Sequence, residues 1–188
     1  MTLQPNSEQA RSSSEPAQEF RDRCYWEFNV PGPNAHQYWY RVKNPLIIIF
    51  NYLAIHAAKH MPSLAVKRWL FRRLGMKLGA NVTIGSGVTL DYFFPELIEI
   101  GDNTIIGMDS MLLTHEFLHD RWRKGVVSIG KNVLVGANST ILAGVSIGDG
   151  VRISAASLVH KSVPTGTFVG GNPMQMLANR KGSPRSET

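Results

Sequence analysis

The chain has 188 residues, 43% of them hydrophobic, and a net charge of +6. This length suffices for one sizeable domain with an appendage. The single cysteine, Cys24, excludes an internal disulfide framework and suits a reducing compartment, so we expect a cytoplasmic protein. The charge suits an anionic partner, either a nucleotide cofactor or a lipid headgroup, whereas no nucleic-acid-binding pattern of basic and aromatic residues is present and no nucleic-acid partner is predicted.

The N-terminal part of the chain is predicted as a disordered tail followed by an aromatic and helical segment. Residues 1–20 are polar and rich in Ser, Gln and Glu, which is typical of disorder. Residues 21–77 form the second segment, in which aromatic side chains crowd into 21–42 and predict an irregular stretch packed on an apolar surface. Asn44-Pro45 predicts a helix start, with an N-cap followed by proline at the first helical position.

The helix that follows is almost wholly apolar from Leu46 to Ala58, which is too short to cross a bilayer and indicates a buried or interfacial helix. After Pro62-Ser63 a second helix is predicted as far as Leu74, with basic side chains beside aromatic and aliphatic ones. The simpler interpretation is a solvated basic face on a packing helix. The alternative is a peripheral membrane contact through residues 45–77, because such a surface can lie on anionic lipid.

A six-residue repeat dominates the rest of the chain. Between 129 and 164 an aliphatic residue recurs at every sixth position, and a small or β-branched residue follows each of them by four. The first column consists of Ile129, Val135, Ile141, Ile147, Ile153 and Val159, and the second of Val133, Ser139, Val145, Val151, Ser157 and Val163. Asn, Gly, Ala or Ser stands between the two columns, and Asn and Gly tolerate the left-handed backbone of a tight corner.

The repeat begins at Leu78 and breaks twice, first at 91–96 and then, in a longer insertion, at 113–128. A period of six fits neither an amphipathic helix nor a meander, and predicts flat sides that stack on one another, three to a turn. We therefore expect an all-β fold, a parallel β-helix over residues 78–177, with a tail at 178–188. Insertions into such a coil leave its core intact and are where function tends to lie, so 113–128 is the predicted active-site loop.

The repeat resembles the left-handed β-helix of the hexapeptide-repeat acyltransferases, and its hand is implied by this resemblance alone. The second break resembles the maltose and galactoside O-acetyltransferases more specifically. The matching elements are Leu112-Leu113-Thr114-His115, then Ile129-Gly130-Lys131-Asn132-Val133, and Gly171-Asn172-Pro173 near the end of the coil. The resemblance implies that His115 is a general base that takes a proton from an acceptor hydroxyl as it attacks the thioester of acetyl-CoA, without an acyl-enzyme.

The resemblance also implies a homotrimer, in which the pantetheine arm of acetyl-CoA lies in a groove between neighbouring subunits. The matching cofactor positions are Gly136, Ala137, Ala155, Ala156, His160, Lys161 and, for a phosphate, Arg180. Small residues suit an extended arm that approaches the backbone closely. Two positions depart from the family pattern, because Leu134 replaces a frequent Trp and Gln175 replaces a frequent basic residue.

Three residues are predicted to bind the acceptor, which we expect to be a sugar or glycan of unknown identity. Asp91 ends the first broken coil, where similar enzymes present a polar residue to the acceptor, although it can instead cap its own turn. Together with Phe93, Tyr92 and Trp122 can form an apolar wall for a sugar ring or an acyl chain, although such residues more often simply pack. The group that orients His115 stays open between Glu116, Asp120 and a backbone carbonyl.

Two other functional classes compete with acyl transfer. A zinc enzyme similar to γ-carbonic anhydrases would use histidines such as His115, His119 and His160, but residues 78–113 contain no histidine for the pattern, and no metal is expected. A non-catalytic trimeric scaffold would need none of these side chains. Zinc content and the effect of replacing His115 separate the three hypotheses.

Overall fold

The computed structural model describes residues 25–32 and 34–179, so the predicted tail at 1–20 and most of the one at 178–188 lie outside the described residues. Its α-helices are α1 Trp39–Val42, α2 Pro45–Lys59 and α3 Leu64–Arg73, and 3-10 helices span Ala35–Tyr38 and Pro95–Leu97. The strands before and within the two breaks are β1 Tyr25–Asn29, β2 Lys77–Leu78, β3 Thr83–Ile84, β4 Thr89–Leu90, β5 Ile98–Ile100, β6 Ile105–Ile106, β7 Met111–Leu112, β8 His115–Phe117 and β9 Arg121–Gly125. The later strands are β10 Val127–Ile129, β11 Leu134–Val135, β12 Thr140–Ile141, β13 Ser146–Ile147, β14 Arg152–Ile153, β15 Leu158–Val159, β16 Thr167–Gly170 and β17 Gln175–Asn179.

Three sheets of parallel strands form the body of the protein. The first sheet has the order β13-β10-β5-β2, the second β17-β16-β14-β11-β6-β3, and the third β15-β12-β7-β4, with only β17 antiparallel. In the regular region Thr140 pairs with Leu158, which occupies the equivalent place three hexapeptides later, so three hexapeptides make one coil. The predicted three-sided parallel coil, preceded by helices, is therefore confirmed.

The interior of the coil consists of the two predicted columns. All twelve side chains are at most 3% exposed, and burial of an aliphatic side chain of this size contributes about 1.5–3 kcal/mol. The second column contains two hydroxyls, those of Ser139 and Ser157, and both donate to the carbonyl of Ser154, at 3.1 and 2.7 Å. The buried hydroxyls are therefore satisfied and can replace valine in the column.

The corners between strands use left-handed backbone, as predicted. Positive φ angles occur at Asn81, Gly87, Asn132, Asn138, Gly144, Gly150 and Ala156. Ser162, which we expected to share this role, is not among the positive-φ residues.

Both breaks in the repeat leave the coil at one corner, which we call the insertion corner and which lies between the third sheet and the first. Leu90 pairs with Leu112, slightly further along the chain than three hexapeptides, so the first insertion is short. Leu112 pairs with Ile141, which is further away still, so the second insertion is the longer one. This second insertion is an antiparallel hairpin of β8 and β9, not the loop that we expected over 113–128.

The N-terminal aromatic stretch is more regular than the sequence indicated. Its first residues form β1, which pairs antiparallel with β9 and extends the hairpin to three strands. Phe28 of β1 stacks on Trp122 of β9, with ring centroids 4.3 Å apart. The prediction of an irregular segment was wrong here because the pairing partner lies in a distant part of the chain, and no local pattern reports it.

The two helices begin as predicted and pack on the first coil. The Asn44 side chain accepts a hydrogen bond from the amide of Leu46 at 2.9 Å, which caps α2, and Ser63 caps α3. Lys67 of α3 is buried, and its ammonium donates to the carbonyls of Ile84 and Gly85 while burial lowers its pKa. In the described part of the chain, no helix is long and apolar enough to cross a membrane.

Candidate active site

Asp91 and His115 are brought together because each follows a strand of the third sheet at the insertion corner. Leu90 and Leu112 pair in register, and the amide of Asp91 donates to the carbonyl of Leu112 at 3.0 Å. The residue after Leu90 therefore lies directly beside the start of the second insertion. His115 is the first residue of the hairpin, so the rigid coil fixes where its backbone begins.

The carboxylate of Asp91 is fully buried and accepts five hydrogen bonds. Its Oδ1 accepts from the amides of Phe93 at 2.8 Å and Phe94 at 3.2 Å. Its Oδ2 accepts from the amides of Thr114 at 2.8 Å and His115 at 3.1 Å, and lies 2.5 Å from Nδ1 of the His115 ring. Burial acts to raise the pKa of Asp91, but the hydrogen bond and charge of His115 and the backbone amides outweigh it and hold the pKa below its usual value. Asp91 is therefore an ionised group inside the protein.

The imidazole of His115 is enclosed by aromatic rings and keeps one nitrogen available. Its side chain is 14% exposed, with ring centroids of Phe93 at 4.5 Å, Phe117 at 5.1 Å and Phe94 at 6.0 Å. Nδ1 faces Asp91, and no residue that the structure describes forms a hydrogen bond with Nε2. An imidazole held at Nδ1 by a carboxylate has the lone pair of its neutral form on Nε2, which is the arrangement that a general base needs.

Asp91 orients the imidazole, a role that sequence reasoning left open between other groups. Glu116 pairs instead with Arg123 at 2.6 Å, and Asp120 with Arg121 at 3.1 Å. The predicted place of Asp91 near His115 is as expected, but the predicted contact with an acceptor hydroxyl conflicts with its buried and fully bonded carboxylate. Asp91 does cap its own turn through Phe93 and Phe94, so one carboxylate both caps the turn and orients the imidazole.

The two aromatic residues predicted for the acceptor lie in different surroundings. Tyr92 is half-buried, with its ring edge-on to Tyr52 at 5.5 Å, and burial together with the charges of Asp91 and Tyr52 raises its pKa. Trp122 is buried between Phe28 at 4.3 Å and Phe94 at 5.7 Å. Its Nε1 has no hydrogen-bond partner in the described part of the chain. Trp122 thus supports the hairpin by packing, which is one of the two roles considered for it, and its buried ring does not form a wall for an acceptor.

Residues outside the repeat hold the first insertion in place, and the sequence analysis did not identify them. Lys43 donates to the carbonyl of Phe93 at 2.7 Å and to Glu96 at 2.9 Å. Lys124 of the hairpin lies over the Phe94 ring at 4.6 Å, and burial lowers its pKa. Neither lysine belongs to a recognisable motif, and Lys43 lies far from the insertion in the sequence, so no local signal indicates the contacts.

The predicted cofactor residues lie at two corners of the coil. One set lies between the second sheet and the third, where the positions are exposed except for the half-buried Gly136, and consists of Gly136, Ala137, Ala155 and Ala156. The other set, His160 and Lys161, lies at the insertion corner, two coils beyond the start of the hairpin and thus roughly 10 Å along the axis. Arg180 lies outside the described residues. Within one chain the first set therefore lies where the strands of the third sheet begin, and the second set lies where they end.

The histidines of the zinc hypothesis do not converge. His119 is exposed in the turn of the hairpin, and His160 is half-buried two coils away. Across residues 25–32 and 34–179, no group of three His, Cys, Asp or Glu side chains is arranged to hold a metal ion.

A hexapeptide-repeat family model and several relatives match this chain. The model, described as the hexapeptide repeat of succinyl-transferase, matches residues 126–159. The protein named "Putative acetyltransferase YvoF" from Bacillus subtilis is 44% identical over 153 residues, which cover 81% of this chain and 89% of the relative. "Putative acetyltransferase SAR0816" from Staphylococcus aureus is 41% identical over 156 residues, which cover 82% and 96%.

Solved structures show the same fold at lower identity. A hexapeptide-repeat acetyltransferase of Vibrio cholerae complexed with acetyl coenzyme A has a TM-score of 0.63 at 22% identity, over 73% of this chain and 88% of the other. A maltose O-acetyltransferase of Clostridium difficile has a TM-score of 0.57 at 20% identity, over 71% and 86%. Since relatives named as acetyltransferases match most of its length at 41% and 44% identity, and since the repeat model matches its coil, the chain belongs to the hexapeptide-repeat acetyltransferases.

Proposed function

We propose that the protein is an acetyl-CoA-dependent O-acetyltransferase that acts on a sugar or glycan hydroxyl. The observation that carries this proposal is the His115 imidazole, fixed by a buried carboxylate at Nδ1 and free of protein partners at Nε2 within the described residues. The names of the relatives support acetyl transfer. A maltose O-acetyltransferase and a galactoside acetyltransferase in complex with coenzyme A, among proteins of the same fold, favour a sugar acceptor.

In this mechanism Nε2 of His115 takes the proton from the acceptor hydroxyl while its oxygen forms a bond to the thioester carbonyl carbon. The resulting tetrahedral intermediate collapses, its carbon–sulfur bond breaks, and the sulfur leaves as the thiol of coenzyme A after receiving the proton from the imidazolium. Asp91 stabilises the imidazolium between these steps, because its negative charge lies 2.5 Å from Nδ1. No acyl-enzyme forms.

The cofactor positions fit acetyl-CoA when two chains share the site. An extended pantetheine arm can approach the backbone at Gly136 and at the exposed Ala137 and Ala155, while Lys161 supplies a positive charge for a phosphate. Since these residues and His115 lie at different corners of one coil, one arm can contact both sets where the corner of one subunit faces that of the next. We therefore propose a homotrimer of left-handed coils with a site at each subunit boundary.

The test compares His115→Ala with His119→Ala, a matched control that removes the other histidine of the same hairpin. Release of free thiol from acetyl-CoA is measured with a panel of mono- and disaccharides. We expect His115→Ala to lower kcat by about 10²- to 10⁴-fold, with His119→Ala close to the unmodified protein. Equal acetyl transfer by both variants would refute the assignment of the base, and no transfer to any acceptor by the unmodified protein would favour the scaffold hypothesis.

A further inference from the structure

Helix α2 is apolar on all sides, but only one side is covered. The side that packs on the coil and its first insertion carries Ile48, Asn51, Ile55 and Ala58, which are buried. The opposite side carries a stripe with helical spacing, in which the exposed fractions are 75% for Leu46, 50% for Ile49, 63% for Phe50 and 60% for Leu53. A helix that is apolar all round is normally buried on all sides. The exposed stripe therefore requires an explanation.

The segment that carries this stripe has no acidic residue. Between 45 and 77 there is neither Asp nor Glu, whereas six basic residues occur, Lys59, Lys67, Arg68, Arg72, Arg73 and Lys77. Of these, Lys67 is buried and Lys77 pairs with Glu99 at 2.6 Å, so the remaining four carry the charge of the surface. Helix α3 also exposes two apolar side chains, Trp69 and Val66. Arginines and the tryptophan line a groove of about 470 Å³, with Arg73 over the Trp69 ring at 5.4 Å. Arg73 makes no ion pair with any acid of the described chain.

We propose that α2 and α3 dock this protein on an anionic lipid surface. The exposed stripe of α2 would enter the boundary between headgroups and acyl chains, and Arg73 of α3 would bind the phosphates of the headgroups. Arg68 and Arg72 donate to carbonyls of the coil, and would add positive charge beside it. An apolar contact and a basic one act together in stable peripheral binding, and this segment offers both. The polar face that an isolated interfacial helix needs is replaced here by the protein body behind α2.

The charge of the surface argues against a second copy of this chain as its occupant. In a contact of the surface with itself, neither copy would offer an acidic residue from 45–77, so the basic side chains would find no ion-pair partner in the opposing segment. An anionic bilayer complements the same charges.

Docking would bring the candidate active site to the lipid surface, because α2 contacts the first insertion directly. The Asn51 side chain donates to the carbonyl of Tyr92 at 3.0 Å, and the Tyr52 ring meets the Tyr92 ring edge-on. Tyr92 follows Asp91 in the chain. Only helix α2 therefore separates the surface that we assign to lipid from the insertion that carries Asp91.

The experiment is flotation of the full chain with two kinds of vesicle, phosphatidylcholine alone and phosphatidylcholine with about 30% phosphatidylglycerol. We expect binding to the anionic vesicles only, and its loss as salt rises from about 50 to 500 mM. The double variant Phe50→Glu with Leu53→Glu should bind about tenfold more weakly or not at all, and Arg73→Gln should bind severalfold more weakly. Both changes are at exposed positions, so melting temperatures should stay close to that of the unmodified protein.

The matched control is Ile105→Glu, which adds a charge at an outward-facing residue of β6 that is 45% exposed. It should float with anionic vesicles as the unmodified protein does. The proposal is overturned if the unmodified protein binds neither vesicle, or if the α2 variant and Ile105→Glu bind equally. It is also overturned if the α2 variant changes only the sedimentation coefficient, which would identify the stripe as a contact between copies of the chain.

Discussion

The Asp91 carboxylate contacts both the backbone amide and the imidazole of His115, although the two residues lie in different insertions. The pairing of Leu90 with Leu112 places the two insertions side by side, and the four backbone amides that Asp91 also accepts from hold the carboxylate in one orientation. The imidazole therefore has a fixed ring plane and a fixed tautomer before any substrate binds, which lowers the cost of reaching the reactive geometry.

The first prediction concerns Asp91→Asn. We expect kcat to fall by about 10²- to 10⁴-fold, because a carboxamide neither stabilises the imidazolium nor selects the tautomer with its lone pair on Nε2. Thiol release at saturating acetyl-CoA measures the effect. Glu116→Gln is the matched control, since Glu116 pairs with Arg123 and not with the imidazole, and its rate should stay within a few-fold. A rate for Asp91→Asn as high as that of Glu116→Gln would contradict the positioning role.

The same carboxylate predicts how stability depends on pH. The pKa of Asp91 is below its usual value of 3.8 in the folded protein, so between the two pKa values the unfolded chain binds the proton more readily. The contribution of Asp91 to the free energy of unfolding is therefore complete above about pH 4, and it is lost as the pH falls further. Urea unfolding between about pH 3 and 7 should show a smaller acid loss for Asp91→Asn. The same acid slope in both proteins would exclude Asp91 as its source.

The sequence predicted the coil because every hexapeptide contributes one inward aliphatic, such as Ile141, and one corner, such as Asn138. These signals are local and repeat many times. The hairpin gave no such signal, because Arg121–Gly125 is largely polar and one of the strands that it pairs with, β1, lies far away in the sequence. A pairing between distant segments leaves no periodic trace in either of them.

The residues of the candidate site were also predictable from local patterns, whereas the contacts between distant segments were not. His115 was identified by its motif, and Asp91 by its place at the end of a coil, but the bond between them was not predicted. One signal could have indicated it: both insertions follow the same column of the repeat, after Leu90 and Leu112, so they must leave the same corner. Lys43, just after α1, and Asn51 of α2 lie far from the insertion in sequence, and only the tertiary structure brings them there.

The next prediction separates two reasons for glycine at the corners. A Cβ on Gly136 would lie 2.4 Å from the amide nitrogen of Ala155 in the next coil, whereas a Cβ on Gly150 would meet nothing within 4 Å and would only suffer from φ of +67°. Gly150→Ala should cost about 1 kcal/mol of unfolding free energy, and Gly136→Ala clearly more, about 2–4 kcal/mol. Urea unfolding measures both. An equal loss of unfolding free energy in the two variants would show that neighbouring coils move apart easily. Close approach of a ligand would then be the remaining explanation for a glycine at position 136.

The last prediction concerns the support of the hairpin by the N-terminal strand. Phe28 and Phe94 both lie nearly parallel to the Trp122 ring, with centroids 4.3 and 5.7 Å from it, so three rings connect β1, the hairpin and the first insertion. Phe28→Ala should remove about 3 kcal/mol or less, since the ring is only half-buried, and should speed amide exchange across residues 115–125. Because His115 begins this hairpin, kcat should fall several-fold while the protein stays folded. Glu27→Ala, on the other face of β1, removes only an exposed ion pair with Arg121 at 3.8 Å, and should change amide exchange and kcat little. Slow exchange in Phe28→Ala would show that the hairpin is stable without the stack.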